Sequence, residues 1–233
     1  MSKIYLIPNT LGNTKIDLVI PKQVQEITKS LRFFFVENLR SARRYLRKVD
    51  PTFPIDDSTF FDIGKGAKPQ DIKNYFNELK EDAGIISESG MPAVADPGAK
   101  IVGIARQKGF DVVPLVGPSS ILLALSASGF NGQNFAFHGY LPIEKGALIT
   151  KIKELEKSSR RFNQTQIFIE TPFRNNTLFD ALIRTCSTAT QLCIAKEITT
   201  SEEEIINLPI SQWKTYKIDI TKKNTIYLLH SYR

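Results

Sequence analysis

Short apolar runs of strand length alternate along the chain with segments whose apolar positions recur every three or four residues. Residues 4–7 form the first run, and Pro8-Asn9-Thr10-Leu11-Gly12-Asn13 reads as the turn after it. Pro21 suits the first turn of a helix, where its preset φ helps and its missing N–H has no partner to lose. The pattern from there to Ser30 is helical. Residues 33–36 predict a second buried strand. Leu39, Ala42, Leu46 and Val49 then fall on one face of an amphipathic helix. A third strand is predicted over 59–63, a helix over 69–79 and a fourth strand over 84–87. A loop rich in Gly and Pro (88–98) leads into a helix ending near Gly109, and 111–116 predicts a fifth strand. This β-α-β-α order predicts a mostly parallel sheet with helices on both faces.

The pattern restarts at Gly117-Pro118-Ser119-Ser120 with an apolar helix to Ala127. Strands are predicted over 135–138, 166–170, 191–196 and 225–230, and helices over 143–158 and 174–185. The natural boundary is near residue 116, giving α/β domains at 1–116 and 117–233. No internal repeat or low-complexity tract interrupts this organisation.

Composition narrows the class. The 233 residues are 42% hydrophobic and 24% charged, ordinary globular usage that excludes a disordered tail, a collagen-like fibre and a disulfide scaffold. The net charge of +7 permits an anionic partner such as RNA. It is shared evenly: seventeen basic against fourteen acidic residues up to 116, and fourteen against ten beyond it. Cys186 and Cys193 form no Cys-x-x-Cys pair and have no companion His cluster, which predicts buried free thiols and no metal site. The apolar stretch 4–7 is too short for a signal-peptide core, and no stretch approaches the ~20 apolar residues of a membrane span. A soluble, cytoplasmic protein is expected.

Several familiar signatures are missing. Gly64-Lys65-Gly66 begins a dinucleotide fingerprint but lacks its third glycine. There is no Walker loop and no Gly-x-Ser-x-Gly elbow. His138 and His230 have no nucleophile at useful spacing, so structural roles are expected. The 88–98 loop is more informative. Gly90, Pro92, Pro97 and Gly98 fix an irregular path at the carboxyl end of a strand, where open α/β sheets bind ligands. Asp96 is a candidate N-cap for the helix after it. Ser119 and Ser120 place two hydroxyls at a helix start, either as caps or as groups facing the same ligand. Arg40, Arg43, Arg44 and Arg47 stand at i, i+3, i+4 and i+7, so they share one helix face. That face is either simply solvated or the seat of an anion such as RNA phosphate. A second basic run, Lys151 to Arg161, is interrupted by Glu154 and Glu156 and reads as a solvated helix.

Five blocks, taken together and in order, resemble the tetrapyrrole (corrin/porphyrin) methylase superfamily of S-adenosylmethionine-dependent methyltransferases. They are Ile7 to Asn13; Val36-Glu37-Asn38-Leu39-Arg40; Ser89-Gly90-Met91-Pro92 through Asp96-Pro97-Gly98; Pro114 to Ser119 with Leu125 to Gly129; and Glu170-Thr171-Pro172-Phe173-Arg174 with Lys196-Glu197-Ile198-Thr199. The branch most similar is the one that methylates small-subunit ribosomal RNA at ribose 2′-hydroxyls. The resemblance implies two α/β domains, the first with a mostly parallel sheet and the second with a mixed one. It also implies a homodimer, and S-adenosylmethionine held in a cleft between the domains. It places the donor against Leu11, Gly90, Met91, Val94, Ser119, Ser120, Glu170 and Ile198. It offers Glu37 or Glu170 as proton acceptor, Arg40 and Arg174 as phosphate or transition-state contacts, and Lys65 as a group near a porphyrin-type substrate. The chain departs from the ribosomal branch where Asn38-Leu39-Arg40-Ser41 replaces Asp-Thr-Arg-His and where Phe173 replaces a histidine. The resemblance therefore leaves three readings: an RNA methyltransferase, a corrin or porphyrin methyltransferase, and a non-catalytic donor-binding module.

Overall fold

The computed structural model describes residues 2–79 and 81–232. The chain divides into two compact units, Met1–Ser119 and Ser120–Arg233.

The first unit is a five-stranded sheet of β1 (Lys3–Ile7), β2 (Phe33–Val36), β3 (Thr59–Asp62), β4 (Ala83–Ile86) and β5 (Asp111–Pro114). Its order is β3-β2-β4-β1-β5 and every pairing is parallel. The strands are near-continuous apolar runs because both sheet faces are covered. Ile7, Phe34, Val36 and Ile86 face α1 (Lys22–Ser30) and α2 (Leu39–Val49), meeting Val24, Ala42, Tyr45, Leu46 and Val49. Ile4, Phe35, Phe61 and Ile85 face α3 (Pro69–Glu78) and α4 (Gly98–Gln107), meeting Ile72, Phe76, Ile101 and Ala105. Successive residues of β2 thus serve opposite cores, as a period of two requires.

Three local expectations need correction. Leu39 does not join the apolar face of α2. It opens the helix and is 42% exposed, leaving Ala42, Tyr45, Leu46 and Val49 as the buried stripe. Pro97, not Asp96, holds the cap position of α4, although Asp96 still accepts from the N–H groups of Gly98 and Ala93, both at 2.8 Å. The third difference lies in the second unit.

That unit contains β6 (Phe135–Tyr140), β7 (Thr165–Ile169), β8 (Gln191–Lys196), β9 (Glu204–Pro209) and β10 (Thr225–His230) in the order β6-β7-β10-β8-β9. The sheet is mixed. β6 pairs parallel with β7, and the other three pairings are antiparallel. The helices α5 (Ser120–Ser128), α6 (Lys145–Phe162), α7 (Asn175–Thr185) and the short α8 (Ile210–Trp213) complete it. Its core joins Leu148, Ile152 and Leu155 of α6 to Phe168, Leu192, Ile194, Tyr227 and Leu229 of the sheet. β9 and α8 were not expected. Glu202-Glu203-Glu204 disguises the start of β9, and Pro209, unusual in a strand, is its last residue.

Candidate active site

All five strands of the first sheet run the same way, so every turn after a strand lies on one edge. That edge gathers residues from widely separated parts of the sequence: Leu11 after β1, Glu37 and Arg40 after β2, Lys65 after β3, Gly90, Met91 and Val94 after β4, and Ser119 after β5. Carboxyl edges of this kind are where open α/β sheets bind ligands.

Backbone and amide bonds lock the turns together. The Asn9 N–H donates to the Gly90 carbonyl at 2.9 Å. The Asn9 amide Nδ2 donates to the carbonyls of Ser87 and Glu88 at 3.0 and 3.2 Å, and the Ser87 hydroxyl donates to Gly90 at 3.0 Å. Gly90 has φ +67, and a Cβ there would stand 3.0 Å from Leu11 Cδ2 and 3.3 Å from the Pro118 carbonyl oxygen. Glycine is therefore required both by the left-handed backbone and by the close approach of three turns. Ala93 and Ala95 also have positive φ, at 65° and 61°. Such backbone costs of order 1 kcal/mol or more per residue and clusters at ligand-binding turns. No glycine marks either position, so the sequence carries no sign of it.

Glu37 is half-buried beside this edge. Burial, followed by the charge of Asp96, pushes its carboxyl above the ordinary glutamate value of 4.5, and a backbone hydrogen bond from Glu88 opposes the shift. Burial raises Asp96 as well. Asn38, where the ribosomal branch has an acid, caps α2: its Oδ1 accepts from the N–H groups of Arg40 and Ser41 at 3.0 and 3.2 Å. The Ser41 hydroxyl donates to the Glu88 carboxylate. Arg40 and Lys65 are exposed.

In the second unit, Ile169 and Ala195 are both in register with Ile226 of the strand between them, so the residues after β7 and β8 share one sheet edge. Glu170, Arg174 and Ile198 lie there. The Glu170 side chain is 1% exposed and the Arg174 side chain 25%, with Oε2 and Nη2 3.2 Å apart. Oε1 accepts from the Thr171 N–H at 2.7 Å, whereas Oε2 has the ion pair without an aligned hydrogen bond. Buried Asn175 fixes the following turn by donating to the carbonyls of Ile220 and Lys223 at 2.9 and 2.7 Å. Ile198 is buried between Glu197 and Thr199, whose φ values are 48° and 71°, and the Thr199 hydroxyl is buried without a partner. Ser120 opens α5.

The remaining candidates are structural. Buried His230 stacks on Phe130, and burial lowers its pKa. Nε2 of His138 lies 2.7 Å from Gln166 Oε1. Cys186 and Cys193 are buried free thiols pushed up to about 12 by desolvation. Among the described residues no His, Cys, Asp and Glu grouping could hold a metal ion, and no helix is long and apolar enough to cross a membrane.

Comparison with known proteins gives this edge a context. The family model described as "Tetrapyrrole (Corrin/Porphyrin) Methylases" matches residues 27–213. The chain belongs to the tetrapyrrole methylases. It is a methyltransferase by family, and a relative from Vibrio cholerae named ribosomal RNA small subunit methyltransferase I is 31% identical over 99% of the chain and 77% of its own length. A Bacillus subtilis protein of the same name is 30% identical over 91% of the chain and 69% of its own. Among solved structures, the uroporphyrin-III C-methyltransferase of Thermus thermophilus complexed with S-adenosyl homocysteine shares the fold. Its TM-score is 0.55 at 14% identity, covering 99% of this chain and 98% of that one. The two sheets, one parallel and one mixed, are thus those of a tetrapyrrole methylase.

Proposed function

We propose that this methylase takes its methyl group from S-adenosylmethionine and delivers it to small-subunit ribosomal RNA, at a ribose 2′-hydroxyl. The observation that carries this reading is the 31% identity, sustained over 99% of the chain, to a protein named for that RNA. The carboxyl edge of the first sheet fits the donor. Its turns pack so closely that neither Gly90, buried against Leu11 and Pro118, nor Gly117, against Pro8, has room for a side chain. Such a surface recognises a nucleoside through close backbone approach rather than charge.

S-adenosylmethionine supplies an activated methyl group on a sulfonium, so the chain's own work is orientation, exclusion of water and removal of a proton. Leu11, Gly90, Met91, Val94 and Ser119 of the first unit are the donor contacts we propose, with Ser120, Glu170 and Ile198 of the second. A ribose hydroxyl is a weak nucleophile, and a positioned base speeds its reaction. Of the two carboxylates, Glu37 fits that role better. Its raised pKa makes it a stronger proton acceptor than an ordinary glutamate, whereas both oxygens of Glu170 are already engaged by Thr171 and Arg174. Arg40 and Arg174 serve as phosphate or transition-state contacts. Lys65 would act at the acceptor only in the corrin or porphyrin reading. The same proposal makes the enzyme a cytoplasmic homodimer, tested by light scattering on the purified protein.

The deciding experiment offers labelled donor with hypomethylated small ribosomal subunits and, in parallel, with a porphyrin precursor. Label in RNA, at a position where the adjoining phosphodiester resists alkali, is the expected result. Label in the porphyrin alone would replace this reading with the small-molecule one. Label in neither, with donor binding intact by calorimetry, would make the protein a non-catalytic binding module.

A further inference from the structure

We infer that the exposed face of α2 is a docking track for the RNA phosphate backbone, formed by Arg43, Arg44, Arg47 and Lys48 and separate from the reacting groups. The inference rests on the RNA reading above. All four side chains are exposed. With Leu39, Arg40, Ile55 and Asp56 they line an open depression of about 790 Å³. Among the described residues none of these cations forms a salt bridge. Asp56 stands at the rim and Asp50 at the end of the helix, where the Asp50 carboxylate is lowered first by Thr52 and least by Arg47.

The arrangement is unfavourable by itself. Like charges at i, i+3 and i+4 repel, and Arg40 stands in the first helical turn, where the helix dipole disfavours a cation. Arg47 and Lys48 gain from the dipole in the last turn, but among the described residues no carboxylate pairs with any of these cations, which is the pattern of a surface completed by an anion. Two of the arginines are also held in place. The Arg43 guanidinium lies 5.6 Å from the Phe60 ring centroid, and Arg47 Nη1 donates to the Pro51 carbonyl at 2.5 Å. Held guanidinium forks suit phosphate better than a lysine of the same charge, because they present paired donors in one plane.

The chemistry favours RNA over a membrane. A helix that binds lipid presents its apolar face to the bilayer, but the apolar face of α2 is occupied by the core through Ala42, Tyr45, Leu46 and Val49. The track also starts at the right place. α2 begins immediately after Glu37 and Asn38, so an RNA strand lying along the helix reaches the carboxyl edge of the sheet.

The test compares the wild type with an Arg43→Gln, Arg44→Gln, Arg47→Gln triple variant, leaving Arg40 untouched. Affinity for a small-subunit ribosomal RNA fragment is measured across 50–200 mM salt. Each lost phosphate contact to single-stranded RNA lowers the log–log salt slope by about 0.7, so the slope should fall by about 2. At low salt, affinity should drop at least tenfold, roughly 1.4 kcal/mol. KM for ribosomal subunits should rise with kcat little changed, and donor binding by calorimetry should match the wild type. A Lys151→Gln, Lys153→Gln, Lys157→Gln variant on α6 controls for general charge. Equal RNA affinity and slope in the wild type and the arginine variant, while both still label RNA, would overturn the track alone. An equal loss in the α6 variant would also overturn it, as would wild-type capture of polyglutamate or anionic vesicles that depends on these arginines while RNA binding does not. A wild type that neither binds nor labels RNA would overturn the functional reading and the track together.

Discussion

The backbone N–H of Asn9 donates to the carbonyl of Gly90 at 2.9 Å, tying the turn after β1 to the turn after β4. These two strands lie side by side in the sheet, and just past their parallel ladder the bond forms an isolated bridge of antiparallel type at the candidate donor site. It holds the backbone of Gly90 at φ +67 against Leu11 and Pro118.

Gly90→Ala should therefore act on fold and site together. The left-handed backbone and the 3.0 Å approach to Leu11 predict a loss of about 1–3 kcal/mol of stability. Calorimetry should show weaker donor binding even well below the melting temperature. Unchanged melting and unchanged donor affinity would remove Gly90 from the site.

Asn38 offers a cleaner separation of structure from chemistry. Asn38→Ala removes both hydrogen bonds of the α2 cap and should cost about 1 kcal/mol in chemical denaturation. Asn38→Asp keeps the acceptor and adds a negative charge at a helix N-terminus, so its stability should equal or exceed that of the wild type. A destabilised Asp variant would show that the amide has a further partner.

Glu37 makes a prediction about pH. Its folded pKa is raised, so the folded state holds the proton more tightly than the unfolded chain does. Stability from this group is then present at low pH and lost as pH rises through the raised value. At neutral pH, Glu37→Gln should leave stability unchanged or slightly improved while methyl transfer collapses. The wild-type rate should fall on the acid side at a pH above 4.5, the ordinary glutamate value. Full turnover in Glu37→Gln, with a wild-type pH profile, would rule it out as the base.

Arg174 tests the second sheet edge. Arg174→Ala leaves the Glu170 carboxylate buried and unpaired, a change that costs about 3–5 kcal/mol when both partners are fully buried. Because a quarter of the Arg174 side chain is exposed, about 2–3 kcal/mol is expected. Glu170→Gln in the Arg174→Ala background should recover much of it. If the double variant is no more stable than the single one, the pair is not coupled.

Much of this was legible in the sequence, and the exceptions share a cause. The parallel sheet, its two layers of helices and nearly every element could be read from apolar spacing, because that spacing reports local burial directly. β9 escaped because three consecutive glutamates precede Ile205, and local polarity hid a strand that is held by its neighbour β8. The capping of α2 by Asn38 could have been read from residue type and position alone. The influence of Asp96 on Glu37 could not, since only the parallel topology brings the turns after β2 and β4 together. The strained backbone at Ala93, Ala95 and Thr199 also left no trace, because these residues have no intrinsic preference for it.

The strand order has one more consequence, for how the chain comes to be folded. β1 is made before both of its partners, β4 and β5, which end at Ile86 and Pro114. During synthesis the apolar segment Ile4–Ile7 must therefore wait, unpaired, until most of the first unit has left the ribosome. Parallel pairings across such separations are slow to close. β1 thus emerges well before the strands that enclose it, and in that interval it is open to premature association or to capture by a chaperone.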